Sequence, residues 1–203
     1  EEELIGSVDI WVPILSEYDE AKSKARQAQG EEVWWYSCCG PRHPYPAYFI
    51  DYPAMDLRMY HWMTWRYGLN GILYWNTMYW QDNPWKTPMS QPPDRSTNWG
   101  NGDGFLLYPP TRTPSSSFVA KGPVDSIRWE TIRDGIEDWD YFRMLQDKID
   151  AASETVRATP RYVAARDALK EVNDCIVSRT DYCKDPARAE SIRLKVALAL
   201  EAL

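Results

Sequence analysis

Residues 32–38, Glu32-Val33-Trp34-Trp35-Tyr36-Ser37-Cys38, are a short run of apolar and aromatic residues closed by Gly40-Pro41, and their reading decides the fold. Such a run, bounded by turn residues, predicts a buried strand. Upstream, a polar segment from Ser16 to Gln29 has a capping residue at its start and Gly30 at its end, which predicts a helix. Before it, Val8-Asp9-Ile10-Trp11-Val12-Pro13 predicts another strand. Downstream, Arg42 to Tyr52 is rich in Pro and Tyr and reads as a loop, with Tyr48-Phe49-Ile50 briefly extended. Pro53 suits the first turn of a helix that runs to Tyr67 and stops at Gly68. Met55, Met59, Trp62, Met63 and Trp65 recur there at roughly helical spacing and are read as core. Asn70-Gly71 then leads into a third apolar strand, Ile72-Leu73-Tyr74-Trp75-Asn76.

From Thr77 to Pro123 the chain is irregular and full of Pro, Gly, Asn and Ser, a length of loop that usually serves a function when it is ordered. Tyr79, Trp80, Trp85, Trp99 and Tyr108 lie in it, and Phe105 to Tyr108 is expected to form a strand. Asp125 or Ser126 caps a following helix whose stripe is Ile132, Ile136, Trp139, Phe142, Leu145 and Ile149. Gly135 in its interior costs about 1 kcal/mol relative to Ala, so a neighbour is expected to approach closely there. Two further helices, Arg161 to Ser178 and Pro186 to Leu203, finish the chain.

The order strand, helix, strand, helix, strand, loop, helix means parallel strands covered by crossover helices. An eightfold barrel takes roughly 250 residues. The expectation is therefore an α/β fold: about three β/α units from the C-terminal part of a (β/α)8 TIM-type barrel, followed by a helical tail. Residues 1–152 would be the barrel portion, with an aromatic-rich loop at 77–123, and residues 153–203 a helical extension.

Composition narrows the partners. A net charge of −7 argues against nucleic acid or an anionic membrane surface, which call for basic patches. No apolar run approaches the roughly 18 residues of a transmembrane helix. Glu1-Glu2-Glu3 does not open a signal peptide, and the compartment stays undecided. With only His43 and His61 available no zinc site is expected, and nothing in the sequence asks for a cofactor. Cys175 and Cys183 either close a short loop in an oxidising compartment or, with Cys38 and Cys39, are ordinary thiols. Aromatic usage is regional: eight of the 11 Trp and eight of the 13 Tyr fall between Trp34 and Trp99. Trp and Tyr suit surfaces that are half apolar and half wet, which is what a sugar face presents. A Trp-rich core is the competing reading.

The motifs Val8-Asp9-Ile10-Trp11-Val12-Pro13, Glu32-Val33-Trp34-Trp35-Tyr36 with Cys38-Cys39-Gly40-Pro41, and Phe49-Ile50-Asp51-Tyr52-Pro53 resemble the C-terminal half of the catalytic barrel of glycoside hydrolase family 123. Leu73-Tyr74-Trp75, Asn101-Gly102-Asp103-Gly104 and Arg133-Asp134-Gly135-Ile136-Glu137-Asp138 extend the resemblance in the same order, over residues 6 to 145. It implies an exo-acting β-N-acetylgalactosaminidase or relative, with an N-acetylhexosamine-containing glycan as partner. It also implies substrate-assisted retention, in which the substrate's acetamide oxygen attacks the anomeric carbon beside an Asp-Glu pair. That pair is expected upstream of this chain, on the missing N-terminal half of the barrel. Asp19-Glu20 is expected in the first turn of a helix and Glu137-Asp138 inside one, so neither is assigned a catalytic role.

Barrel sites lie at the C-terminal ends of strands. The substrate-binding candidates are therefore Trp35, Tyr36, Asp51, Tyr52, Trp75 and Asn76, with Trp80 and Trp85 as a further wall. Trp75 is the candidate stacking floor, Asp51 an acceptor for sugar hydroxyls, and Tyr36 or Tyr52 a partner for the acetamide. A non-catalytic carbohydrate-binding or scaffold protein with the same aromatic cleft is the alternative reading.

Overall fold

The computed structural model describes residues 2–80, 83–90, 100–112 and 120–203. Trp99 lies outside them. Three strands, β1 (Ile10–Trp11), β2 (Glu32–Tyr36) and β3 (Gly71–Leu73), form a parallel sheet in the order β1-β2-β3. Helix α1 (Glu20–Gln27) connects β1 to β2, and α2 (Ala54–Arg66) connects β2 to β3. Helix α3 (Ile127–Asp150) follows the long loop, and α4 (Glu154–Arg157), α5 (Pro160–Asp174) and α6 (Pro186–Ala202) complete the chain. The register pairs Trp11 with Val33, and Trp35 with Ile72.

The three strands and helices α1, α2, α3, α5 and α6 match the sequence expectations in order and differ at their ends, while α4 is an addition and no strand forms at Phe105 to Tyr108. Asp19, rather than Ser16, caps α1, its carboxylate accepting from Lys22 N at 3.0 Å. Leu15–Glu17 is instead a separate 3-10 turn. Ser126 caps α3 by accepting from Trp129 N at 3.1 Å. The third strand stops at Leu73, because Tyr74 and Trp75 turn away to bond with Asp103. Phe105 to Tyr108 makes only isolated antiparallel bridges, Phe105 to Met78 and Tyr108 to Val124.

Period-2 alternation on β2 decides which side chains face the helices. Val33 and Trp35 point to one buried face, while Trp34 and Tyr36 occupy the other and remain half-buried. Trp35 packs against Tyr60 of α2 with ring centroids 5.5 Å apart and donates from Nε1 to Thr64 Oγ1 at 3.0 Å. On the opposite face the Trp34 ring lies over Gly71, where an added Cβ would come 2.8 Å from Trp34 Cδ2.

The buried side of α3 follows the expected apolar stripe in its C-terminal half, at Phe142, Leu145 and Ile149, and departs from it in the N-terminal half. Ile136 is 48 % exposed, and Ile132 and Trp139 are only half-buried. The buried positions are Arg128, Gly135, Asp138, Phe142, Leu145 and Ile149. Gly135 faces His61 of α2, and a Cβ there would lie 2.6 Å from His61 Cδ2, so the expected close approach is present. The crowded charges on α3 divide in two. Arg133 pairs at the surface with Glu130 and Glu137. Asp138 is fully buried and accepts from Arg58 Nε (2.6 Å), Trp62 Nε1 (2.7 Å) and Arg193 Nε (2.8 Å). Those donors come from α2 and α6, so one carboxylate ties three helices together. Residues of α5 and α6 share a continuous apolar core with α2 and α3.

Replacing Asp138 by Ala leaves Arg58 buried without its main counter-charge, and the expected loss of stability is about 3–5 kcal/mol. An unchanged urea midpoint would refute that role. Burial of His61 lowers its pKa from 6.5 to about 4. The unfolded chain therefore binds the extra proton more readily between those values. The stability this provides is fully present above pH 6.5 and is lost as pH falls towards 4. At 1.36 kcal/mol per unit it amounts to about 3 kcal/mol. Unfolding curves of His61→Phe across this window should show a flatter acid limb than the parent protein.

Candidate functional site at the strand ends

The C-terminal ends of β2 and β3 converge with the turn Asn101-Gly102-Asp103-Gly104. Gly102 and Gly104 have φ of +84° and +78°, a region that costs glycine no side-chain clash. Both also sit where a side chain has no room. A Cβ on Gly104 would be 2.2 Å from Trp75 Cζ2, and one on Gly102 would be 2.5 Å from Arg128 Nη1. Arg128 is buried beneath the turn and donates to the carbonyls of Tyr48 (2.6 Å), Gly102 (2.9 Å) and Phe105 (2.6 Å). These bonds join the loop after β2 to the loop after β3.

Asp103 is fully buried at the centre of this arrangement. Its Oδ1 accepts from Tyr74 Oη at 3.0 Å and from Trp75 Nε1 at 3.1 Å. Tyr74 Oη in turn accepts from Gly104 N at 2.6 Å. Asp103 Oδ2 has no hydrogen-bond partner among the described residues. Burial raises the Asp103 pKa, and the bonds from Trp75 and Tyr74 and the charge of Arg42 oppose it only in part. Tyr36, Cys38 and Cys39 face the same region. Burial, with Cys38 as neighbour, raises the Tyr36 pKa, and burial pushes the Cys39 thiol up to about 11. The Cys38 and Cys39 sulfurs are 3.5 Å apart, and all four cysteines are free thiols.

Of the residues expected from the sequence, Tyr36 and Trp75 come together here. Trp75 is half-buried, with Tyr79 4.7 Å from its ring centroid. Trp35 does not join them: it has no exposed surface, because its position on β2 points it at α2. Asn76 is exposed and uses its Oδ1 to accept from Met78 N at 2.9 Å, holding the chain after Trp75. Asp51 is exposed and takes Asn101 Nδ2 on both oxygens, at 3.1 and 2.9 Å, so it anchors the same turn from the other side. Tyr52 stacks on His43 at 3.7 Å and accepts from His43 N at 3.0 Å. Trp80 and Trp85 lean on the returning segment, donating to the carbonyls of Leu107 (2.9 Å) and Pro109 (3.4 Å). Trp85 also stacks on Tyr108 at 4.5 Å.

Sequence reasoning missed Asp103 and Tyr74. The available signal was a carboxylate held between two glycines, in a motif that carries the family resemblance but was assigned no role at the site. Asp19, Glu137 and Asp138 are engaged in capping or ion pairs on helices, away from the strand ends. Among the described residues there is no group of three or more His, Cys, Asp or Glu suited to a metal ion. What the site offers is a half-buried tryptophan, phenolic hydroxyls and a buried acid, a combination suited to a ligand with an apolar face and a hydroxyl rim.

Residues 2–145 match the catalytic domain of glycoside hydrolase 123, which places the chain among carbohydrate-active hydrolase domains. The chain belongs to glycoside hydrolase family 123. A solved family 123 glycoside hydrolase from Clostridium perfringens, described in work on glycolipid glycan hydrolysis, is similar with a TM-score of 0.65 and 17 % identity. That likeness covers 100 % of this chain and 33 % of the other, so the chain spans about a third of that relative's length. At this identity it bears on the fold alone. Comparison with curated proteins gives no match.

A Gly104→Ala substitution combines a strained φ with a clash on the Trp75 ring, and should cost about 1–3 kcal/mol. Near-UV circular dichroism should lose part of its tryptophan signal, and a spectrum and stability equal to the parent's would contradict the close packing.

Proposed function

We propose that this chain supplies the substrate-shaping part of a retaining, exo-acting β-N-acetylhexosaminidase, with N-acetylgalactosamine as the favoured sugar. Family membership supports hydrolysis of a glycan, and the name of the solved relative points to glycans such as those of glycolipids. The observation that carries the reading is Trp75, a half-buried residue just past the end of a parallel strand, held by Asp103 and backed by Gly104. Its ring would lie under the apolar face of the sugar, and Tyr36 would border the acetamide. The acetamide oxygen of the substrate would attack the anomeric carbon. An Asp-Glu pair on the preceding part of the polypeptide would orient the acetamide and shuttle the proton.

The same reading makes the chain the last three units of a (β/α) barrel, residues 1–152, with 153–203 as a helical extension. In support, β1 and β3 are edges of the sheet with exposed apolar residues, Ile10 and Ile14 at one edge and Leu73 at the other. A groove of about 390 Å³ runs between β1 and α1, lined by Leu4, Trp11, Val12 and Val33 on one side and by Lys22 and Arg26 on the other. Preceding barrel strands would cover the β1 edge, which otherwise exposes unpaired backbone.

The test is hydrolysis of a chromogenic N-acetyl-β-D-galactosaminide by the complete polypeptide that carries these residues. Turnover is expected, and Trp75→Ala should lower kcat/KM on the order of 10- to 100-fold, the worth of one buried aromatic face. A folded complete polypeptide that binds the sugar without turnover would replace this reading with the non-catalytic carbohydrate-binding one.

A further inference from the structure

We propose that Asp103 is a positioning residue that sets the plane of the Trp75 indole for ligand stacking, acting as a hydrogen-bond acceptor through Oδ1 and not through its charge. The inference rests on the reading of Trp75 as the sugar-stacking face.

Three features of the geometry carry it. Trp75 makes its indole N–H bond to Asp103 Oδ1 at 3.1 Å, which fixes one edge of the ring. Gly104, the next residue, presses its backbone against the Cζ2 corner of that ring, so the bond and the contact together define a plane. Tyr74 bonds the same oxygen at 3.0 Å and accepts from Gly104 N, which closes the turn against the end of β3. The carboxylate that does this has no exposed surface. It therefore acts through Trp75 rather than by touching a ligand itself.

The division between the two oxygens explains why charge is dispensable. Oδ1 serves both donors, while Oδ2 has no hydrogen-bond partner among the described residues. A proton taken up by the acid goes to Oδ2 and leaves the acceptor role of Oδ1 intact. The groups that face the acid are Tyr36 of β2, Cys39 and Arg42 of the loop after β2, Tyr74 and Trp75 after β3, and Arg128 of α3. Arg42 and Arg128 are the cations of that set. Burial outweighs Arg42 and makes the acid harder to ionise. An amide at this position reproduces the acceptor without the charge.

The experiment uses the complete polypeptide and two readouts. The first is the indole N–H resonance of Trp75 without sugar, assigned by its loss in Trp75→Phe. It should stay near its parent position in Asp103→Asn and move in Asp103→Ala. The second is steady-state kinetics on the chromogenic N-acetyl-β-D-galactosaminide. Asp103→Ala should raise KM about tenfold with kcat within about twofold, the pattern of lost ligand binding rather than of lost folded protein. Asp103→Asn should restore KM to within about threefold of the parent. In a Trp75→Ala background, Asp103→Ala should add little, because both changes remove one effect.

Fully additive losses, or an Asp103→Asn variant as impaired as Asp103→Ala, would overturn the proposal. So would a KM unchanged in Asp103→Ala while Trp75→Ala raises it. If the resonance moves but neither single variant changes sugar binding or turnover, the saccharide reading fails, and not the hydrogen bond.

Discussion

A charged carboxylate deep in a protein is costly unless donors surround it, and Asp138 shows how much architecture that requirement can organise. Arg58 and Trp62 reach it from one helix and Arg193 from another, while Asp138 belongs to a third. Arg58 also pairs with Glu190 of α6. Removing Asp138 leaves Arg58 and Trp62 buried without their acceptor, so α2, α3 and α6 are specified relative to one another more sharply than apolar contact alone would achieve. The aromatic contact of Trp62 with Phe142, at 5.0 Å, fills the space beside the charges. Gly135 allows α3 to settle onto His61 and the Arg58 backbone at the same seam.

That seam fixes where α3 begins, and the start of α3 holds Arg128 in place. The Arg128 guanidinium then collects three carbonyls from the two loops that follow β2 and β3. A buried arginine spent on backbone carbonyls is a way of ordering irregular chain that has no ladder of its own. The Asn101–Gly104 turn thereby becomes rigid, with Asp51 anchoring one side and Trp75 packed on the other. Strand ends and loop tips come to one place because of this chain of contacts, from a helix interface through one arginine to a glycine turn.

The same chain of contacts separates two kinds of tryptophan. Trp35 and Trp62 are fully buried and give their N–H groups to Thr64 and Asp138, so they are parts of the interior. Trp75, Trp80 and Trp85 also have partners for their N–H groups, yet remain only half-buried. The regional excess of aromatic residues is therefore divided between fully and partly buried positions, and composition could not apportion it.

Local sequence determined the kinds of element and their order. The run at Val33 to Tyr36, the Pro53 start and Gly68 stop of α2, and Ser126 before α3 are local signals, and local backbone chemistry is enough to read them. The alternation also implied a parallel sheet, and Gly135 announced a close neighbour. Tertiary structure decided what local pattern cannot carry. The face of β2 that meets α2 follows from register, and it sends Trp35 inward and Tyr36 to the other side. The buried stripe of α3 runs through Arg128, Gly135 and Asp138, because long-range partners make charged residues buriable, while Ile136 stays outside. The role of Asp103 depends on residues 28 and 29 positions away in sequence, so its meaning exists only once the turn has closed on Trp75.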